Sequence, residues 1–133
     1  MNTRTQTVTL DTPKERAFAF LSQVENLPKW ATLFCRELRK TKDGRYKVVT
    51  PGGEIFFRIE ADPGSGVIDM YGGPSEDQMA YWPARVVGMP GSRSLFIFTA
   101  FQYPGVKDEE FAQQCEGLKQ EFPHIKAAME ERV

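Results

Sequence analysis

Apolar and polar residues alternate with a period of two in a series of short stretches, and with a period near 3.6 in one long stretch at the end of the chain. Residues 5–10, TQTVTL, alternate and are rich in β-formers, which predicts a first strand. Asp11, Thr12 and Pro13 then supply a helix start with proline in the first turn. The segment that follows places Ala17, Phe18, Leu21 and Val24 on one face, which predicts a short amphipathic helix. A second short helix is predicted after Glu25 and Asn26, with Pro28 near its start and Leu27, Trp30, Ala31 and Phe34 clustered within two turns.

Between residues 35 and 102 the pattern is that of strands separated by Gly, Pro and Asp signals. The runs are ELRKTK, RYKVVT, EIFFRIEA, VIDMY, MAYWPARVV and SLFIFTAFQ, and their spacing predicts a meander of antiparallel hairpins. PGG at 51–53 and GGP at 72–74 read as hairpin turns. Alternation assigns Ile55, Phe57 and Ile59 to one sheet face, with Ala80, Trp82, Ala84 and Val86 beside them. In the last run both faces are apolar; Phe96, Phe98 and Ala100 are assigned inward, with Leu95, Ile97 and Thr99 outward.

Residues 109–131 form the long period. Phe111, Cys115, Leu118, Phe122, Ile125 and Met129 make one apolar stripe, while the other face is mostly Glu, Gln and Lys. The run is shorter than the sustained heptads of a coiled coil, and a sheet is at hand to cover, so the stripe is expected to pack on the sheet. Pro123 lies inside this helix, where it removes one backbone hydrogen bond and crowds the carbonyl of Lys119. A bend is expected there, dividing a ligand-facing first half from a docking second half that carries Ile125 and Met129. The order is one strand, two short helices, a run of strands and a long closing helix: an α+β plan of about six to seven strands in one domain, residues 1–133.

Composition narrows the function classes. The chain has 133 residues, 41% hydrophobic and 26% charged, and a mean hydropathy of -0.44, values of an ordinary soluble globular protein. A net charge of -1 and a pI near 5.9 provide no field to collect phosphates, so nucleic acid is not expected as a partner. No stretch approaches the length of a membrane span and the start is polar, which predicts a cytoplasmic protein. Cys35 and Cys115 stand far apart with no CxxC and no neighbouring histidine; both are expected reduced and buried, with no metal site and no cofactor.

Groups suited to catalysis are few. His124, the only histidine, falls away from the apolar stripe and is expected at the surface. Cys115 meets the interior but lacks an activating cation, which makes it core filling. Asp69 sits between apolar residues; on an inner face it would have a raised pKa and serve as acid or base, whereas on the convex face it would be solvated or pair with Arg85. Tyr71 and Tyr81 flank GGPSED and are further candidates, to orient a ligand near a cavity mouth. Arg58 and Glu60 read as surface charge, and neither GxGxxG nor GxxxxGK is present.

The stretches TVTLDTPKERAFAFLSQVENLPKW, GVIDMY, PARVV and SLFIFTAFQYPGVKDEEFAQQCEGLKQEFPHIKAAME, in that order, resemble the SRPBCC superfamily, the helix-grip fold of START lipid-binding domains, the birch pollen allergen group and polyketide cyclases. The resemblance covers nearly the whole chain and is strongest to small bacterial polyketide cyclase-like members. It implies a curved sheet gripping the C-terminal helix around an apolar cavity. By position, that cavity would be walled by Trp30, Phe34, Phe57, Trp82, Phe96, Phe98, Phe111, Cys115, Leu118 and Phe122. The function it implies is binding of a small hydrophobic ligand, a lipid, polyketide or aromatic-like molecule. The alternative is a cyclase, aromatase or dehydratase working in the same cavity through Asp69, Tyr71 or Tyr81. A third reading makes Leu95, Ile97 and Phe101 an outer contact patch for a homodimer.

Overall fold

The structure is a computed structural model that describes residues 1–130. The first strand, β1 (Thr3–Leu10), leads through Pro13 into α1 (Lys14–Leu21). A 3-10 turn, Val24–Asn26, and the four-residue α2 (Leu27–Trp30) follow; Pro28 stands near the start of α2, where its missing N–H costs nothing. Then come β2 (Glu37–Lys40), β3 (Tyr46–Thr50), β4 (Gly53–Asp62), β5 (Val67–Ser75), β6 (Gln78–Trp82), β7 (Ala84–Met89), β8 (Arg93–Phe101) and the closing helix α3 (Asp108–Glu130). The last residue of the predicted helix, 131, lies outside the described residues.

All strand pairs are antiparallel, in the order β1-β8-β7-β5-β4-β3-β2, with β6 on β5. The curved sheet holds eight strands, one more than the sequence runs, because MAYWPARVV is two strands and not one. Pro83 has no N–H for a ladder bond, so the run breaks there and changes neighbours. Residues before it pair with β5 (Met70 with Trp82), and residues after it pair mainly with β8 (Ala84 with Phe98). A second correction concerns GGP at 72–74, which lies within β5; the turn falls at residues 76–77 instead. Gly73 is required by close approach: a Cβ there would stand 1.9 Å from the Gln78 carbonyl oxygen.

Alternation sets the faces as the pattern predicts. In β8, Ser94, Phe96, Phe98 and Ala100 are buried while the residues between them are only half-buried. Phe57, Ile68, Met70, Ala84 and Val86 join them on the concave side. Trp30 meets Phe96 edge-on at 6.1 Å, and Phe96 meets Phe122 at 6.0 Å, so α2, sheet and α3 share one core. α3 runs through Pro123 as one helix, and Phe111, Cys115, Leu118, Phe122, Ile125 and Met129 are all buried. One residue of the polar set, Glu121, is buried with them.

Candidate functional site

Between the concave face and the first half of α3 lies a cavity of about 650 Å³. Its walls come from three sources. The sheet presents Phe57, Met70, Trp82, Phe98 and Ala100; the α2 region presents Leu27, Trp30, Ala31 and Phe34; and α3 presents Cys115 and Leu118. Phe34, Phe57 and Trp82 form a contiguous aromatic wall, with centroid separations of 5.8, 5.9 and 6.3 Å. Leu33, Arg36, Pro51, Gly52 and Gln113, all exposed, frame an opening to solvent.

Of the residues predicted to wall the cavity, Trp30, Phe34, Phe57, Trp82, Phe98, Cys115 and Leu118 line it. Phe96, Phe111 and Phe122 do not, and this corrects their assignment. Phe96 has no exposed surface because Trp30, Phe98 and Phe122 enclose it, and Phe122 is thereby committed to the core. Phe111 packs with Ala100 and Cys115 in a small cluster at the other end of α3's first half. Ile125 and Met129 are core residues outside the cavity, in keeping with a docking second half.

The catalytic candidates stand on the other side of the sheet. Asp69 and Tyr71 alternate with Ile68 and Met70, which are buried on the concave face, so their side chains are on the convex one. Tyr81 stacks on Tyr71 at 5.1 Å and donates its hydroxyl to Asp69 Oδ1 at 3.0 Å. Burial, then the Asp69 bond, pushes the Tyr81 phenol up to about 12. The Asp69–Arg85 pairing is also corrected: Arg85 lies opposite Val67 and donates to the Ser65 carbonyl at 3.0 Å, while Asp69 lies opposite Glu60. Phe101 shares this convex face, its ring between Tyr81 and Tyr103, and Leu95 and Ile97 are half-buried there.

Apart from Arg36 and Thr50, the polar side chains lining the cavity are on α3, and they escaped the sequence reading. Glu110, Gln114, Gly117 and Glu121 recur at spacings of 4, 3 and 4, a second stripe beside the apolar one, and all four line the cavity. Glu121 is 3% exposed, and its Oε2 accepts the backbone N–H groups of Leu33 and Phe34, each at 2.9 Å. Those bonds tie the segment after α2 to the closing helix. Burial pushes the Glu121 carboxyl up, against the two amides and His124, which pull it down. His124 is exposed as expected, yet its Nδ1 lies 3.1 Å from the Trp30 carbonyl and 3.2 Å from Thr32 Oγ1, docking the same segment. Burial, then the charge of Glu121, pushes the Cys35 thiol up to about 11, and burial raises that of Cys115; both are free. Among the described residues no cluster of His, Cys, Asp and Glu has the makings of a metal site, and no helix is long and apolar enough to cross a membrane.

No protein-family model and no curated protein matches this chain. Solved structures do. XoxI from Bacillus cereus superposes with a TM-score of 0.74 at 17% identity, over 97% of this chain and 96% of its own. The Aha1 dimer from Colwellia psychrerythraea gives 0.71 at 14% identity over 98% and 97%. The aromatase/cyclase ZhuI from Streptomyces sp. R1128 gives 0.66 at 15% identity over 96% and 90%. At such identities the likeness speaks for the fold. Taken with the strand order and the long helix across the concave face, it establishes a helix-grip fold, a curved antiparallel sheet around a long closing helix.

Proposed function

We propose that the protein binds a small hydrophobic ligand, a lipid, polyketide or aromatic-like molecule, in the cavity between the sheet and α3. The observation that carries this reading is the cavity itself: about 650 Å³, open at one side, walled by Trp30, Phe34, Phe57, Trp82, Phe98 and Leu118. That volume lies within the range of small-molecule sites, and such sites are mostly apolar with a few placed polar groups. Water in so apolar a space gains few hydrogen bonds, so replacing it with an apolar ligand is favourable. Likeness to an aromatase/cyclase lends the catalytic alternative only a fold. Its three candidates, Asp69, Tyr71 and Tyr81, are across the sheet from the cavity, so binding takes precedence.

Native mass spectrometry of protein purified from its host cells, before and after organic extraction, tests the reading. A bound apolar mass that is lost on extraction, and one-to-one uptake of an added apolar probe, are the expected results. A protein that carries nothing and takes up no probe overturns it.

A further inference from the structure

Glu121 is a carboxylate built into an apolar site, with only one oxygen engaged. Oε2 receives both backbone amides, at 2.9 Å each, whereas Oε1 has no hydrogen-bond partner among the described residues. The side chain is 3% exposed and lines the cavity. Thr12 Oγ1 is the only fully enclosed side-chain oxygen or nitrogen without a partner among the described residues. Glu121 Oε1 is therefore not sealed in packed core, and the residue that carries it lines the cavity. An unengaged acceptor on a side chain that the fold has already desolvated is costly unless a donor reaches it.

The surroundings decide which donor. The charged residues lining the cavity are Glu110, Glu121 and Arg36, of which Glu110 and Arg36 are exposed and in solvent. The buried charge is therefore the acidic one. An anionic head group would meet Glu121 across a low-dielectric space, where like charges repel strongly. A hydroxyl would supply one neutral bond. An ammonium supplies a charge-assisted bond and cancels the buried charge, and the rings of Phe34, Phe57 and Trp82 in the same cavity offer faces that attract cations.

We propose that the cavity is selective for hydrophobic amines, the ammonium hydrogen-bonded to Glu121 Oε1 and the apolar body against Trp30, Phe34, Phe57 and Trp82. This rests on the ligand-binding reading above and assigns to it a ligand class.

The test is calorimetric titration of the intact protein at pH 7 with 1-naphthylmethylamine, 1-naphthalenemethanol and 1-methylnaphthalene, which share one ring system and differ in the donor. The amine is expected to bind about tenfold or more tighter than the alcohol, the size of a charge-assisted hydrogen bond over a neutral one. In Glu121→Gln that preference disappears while methylnaphthalene binds as before, which also certifies that the cavity of the variant is intact. Equal affinity of amine and alcohol in the unaltered protein, or a preference that survives Glu121→Gln, overturns the proposal. The unaltered protein's amine-to-alcohol ratio decides even if the variant does not fold. Binding of methylnaphthalene without an amine preference removes this inference alone; binding of none of the three removes the ligand-binding reading with it.

Discussion

Pro123 offers a measurable energy inside α3. The helix runs through it, yet the position has no N–H to donate to the carbonyl of Lys119, and both residues are exposed. Pro123→Ala returns that N–H without touching a core contact. Proline in a helix interior is less favourable than alanine by about 3 kcal/mol. Against this, alanine loosens the unfolded chain, which offsets about 0.4–1 kcal/mol. The net expectation is a gain of about 2 kcal/mol. Unfolding entropy of about 2.1 cal/mol/K per residue over 133 residues turns this into a rise in Tm of about 7 °C. In urea, with a slope of about 2 kcal/mol/M, the midpoint should rise by about 1 M. Circular dichroism at 222 nm reads both. A variant with unchanged or lowered Tm would refute the reasoning; it would mean that proline sets a helix shape on which Ile125 and Met129, buried beyond it, depend for their packing.

Three further outcomes are expected. Gly73→Ala places a Cβ 1.9 Å from the Gln78 carbonyl oxygen, so the β5–β6 hairpin must open; destabilisation of about 3 kcal/mol or more is expected in urea unfolding, and a loss within about 0.5 kcal/mol would contradict it. Burial holds the folded Glu121 carboxyl above its ordinary 4.5, so the native state keeps that proton longer than the unfolded chain. Its stabilising contribution is then full below pH 4.5 and is lost as pH rises through the folded value, so the unaltered protein should lose stability relative to Glu121→Gln on going from pH 4 to 8. The opposite slope would show the amides of Leu33 and Phe34 outweighing burial. Cys35, its thiol at about 11, and Cys115 should react with a disulfide reagent at pH 8 far more slowly in native protein than in urea; prompt labelling of either would contradict their burial.

Where one physical signal dominates, the sequence suffices. The alternation in β8 sorts Phe96, Phe98 and Ala100 from Leu95, Ile97 and Thr99 because the pleat admits only two faces. The stripe from Phe111 to Met129 likewise identifies the closing helix and its buried side. Lining was harder to read, since a buried residue faces either core or cavity. Phe96, Phe111 and Phe122 share period and character with Phe98, Cys115 and Leu118; the enclosure of Phe96 by Trp30 and Phe122, and the packing of Phe111 with Ala100, separate them. Residue type alone leaves the facing of Asp69 open between cavity and convex side. The alternation that buries Ile68 and Met70 already turns Asp69 and Tyr71 outward. By residue type Glu121 belongs with the Glu, Gln and Lys of the solvated face, although it stands three residues after Leu118 and four before Ile125, within reach of the buried stripe. The backbone amides of Leu33 and Phe34 that make its burial tolerable come from a segment 87 and 88 residues away, and no local pattern announces them.

The account stands on the cavity, and filling it is the direct test. Leu118 lines it from α3, so Leu118→Trp puts an indole into the space while leaving the helix sequence otherwise intact. The measurement is titration of the unaltered protein and the variant with 1-methylnaphthalene, with thermal unfolding to confirm that both are folded. Saturable one-to-one binding to the unaltered protein, lost or weakened by about tenfold or more in folded Leu118→Trp, is the predicted result. Equal binding to both, or none to either, would contradict it.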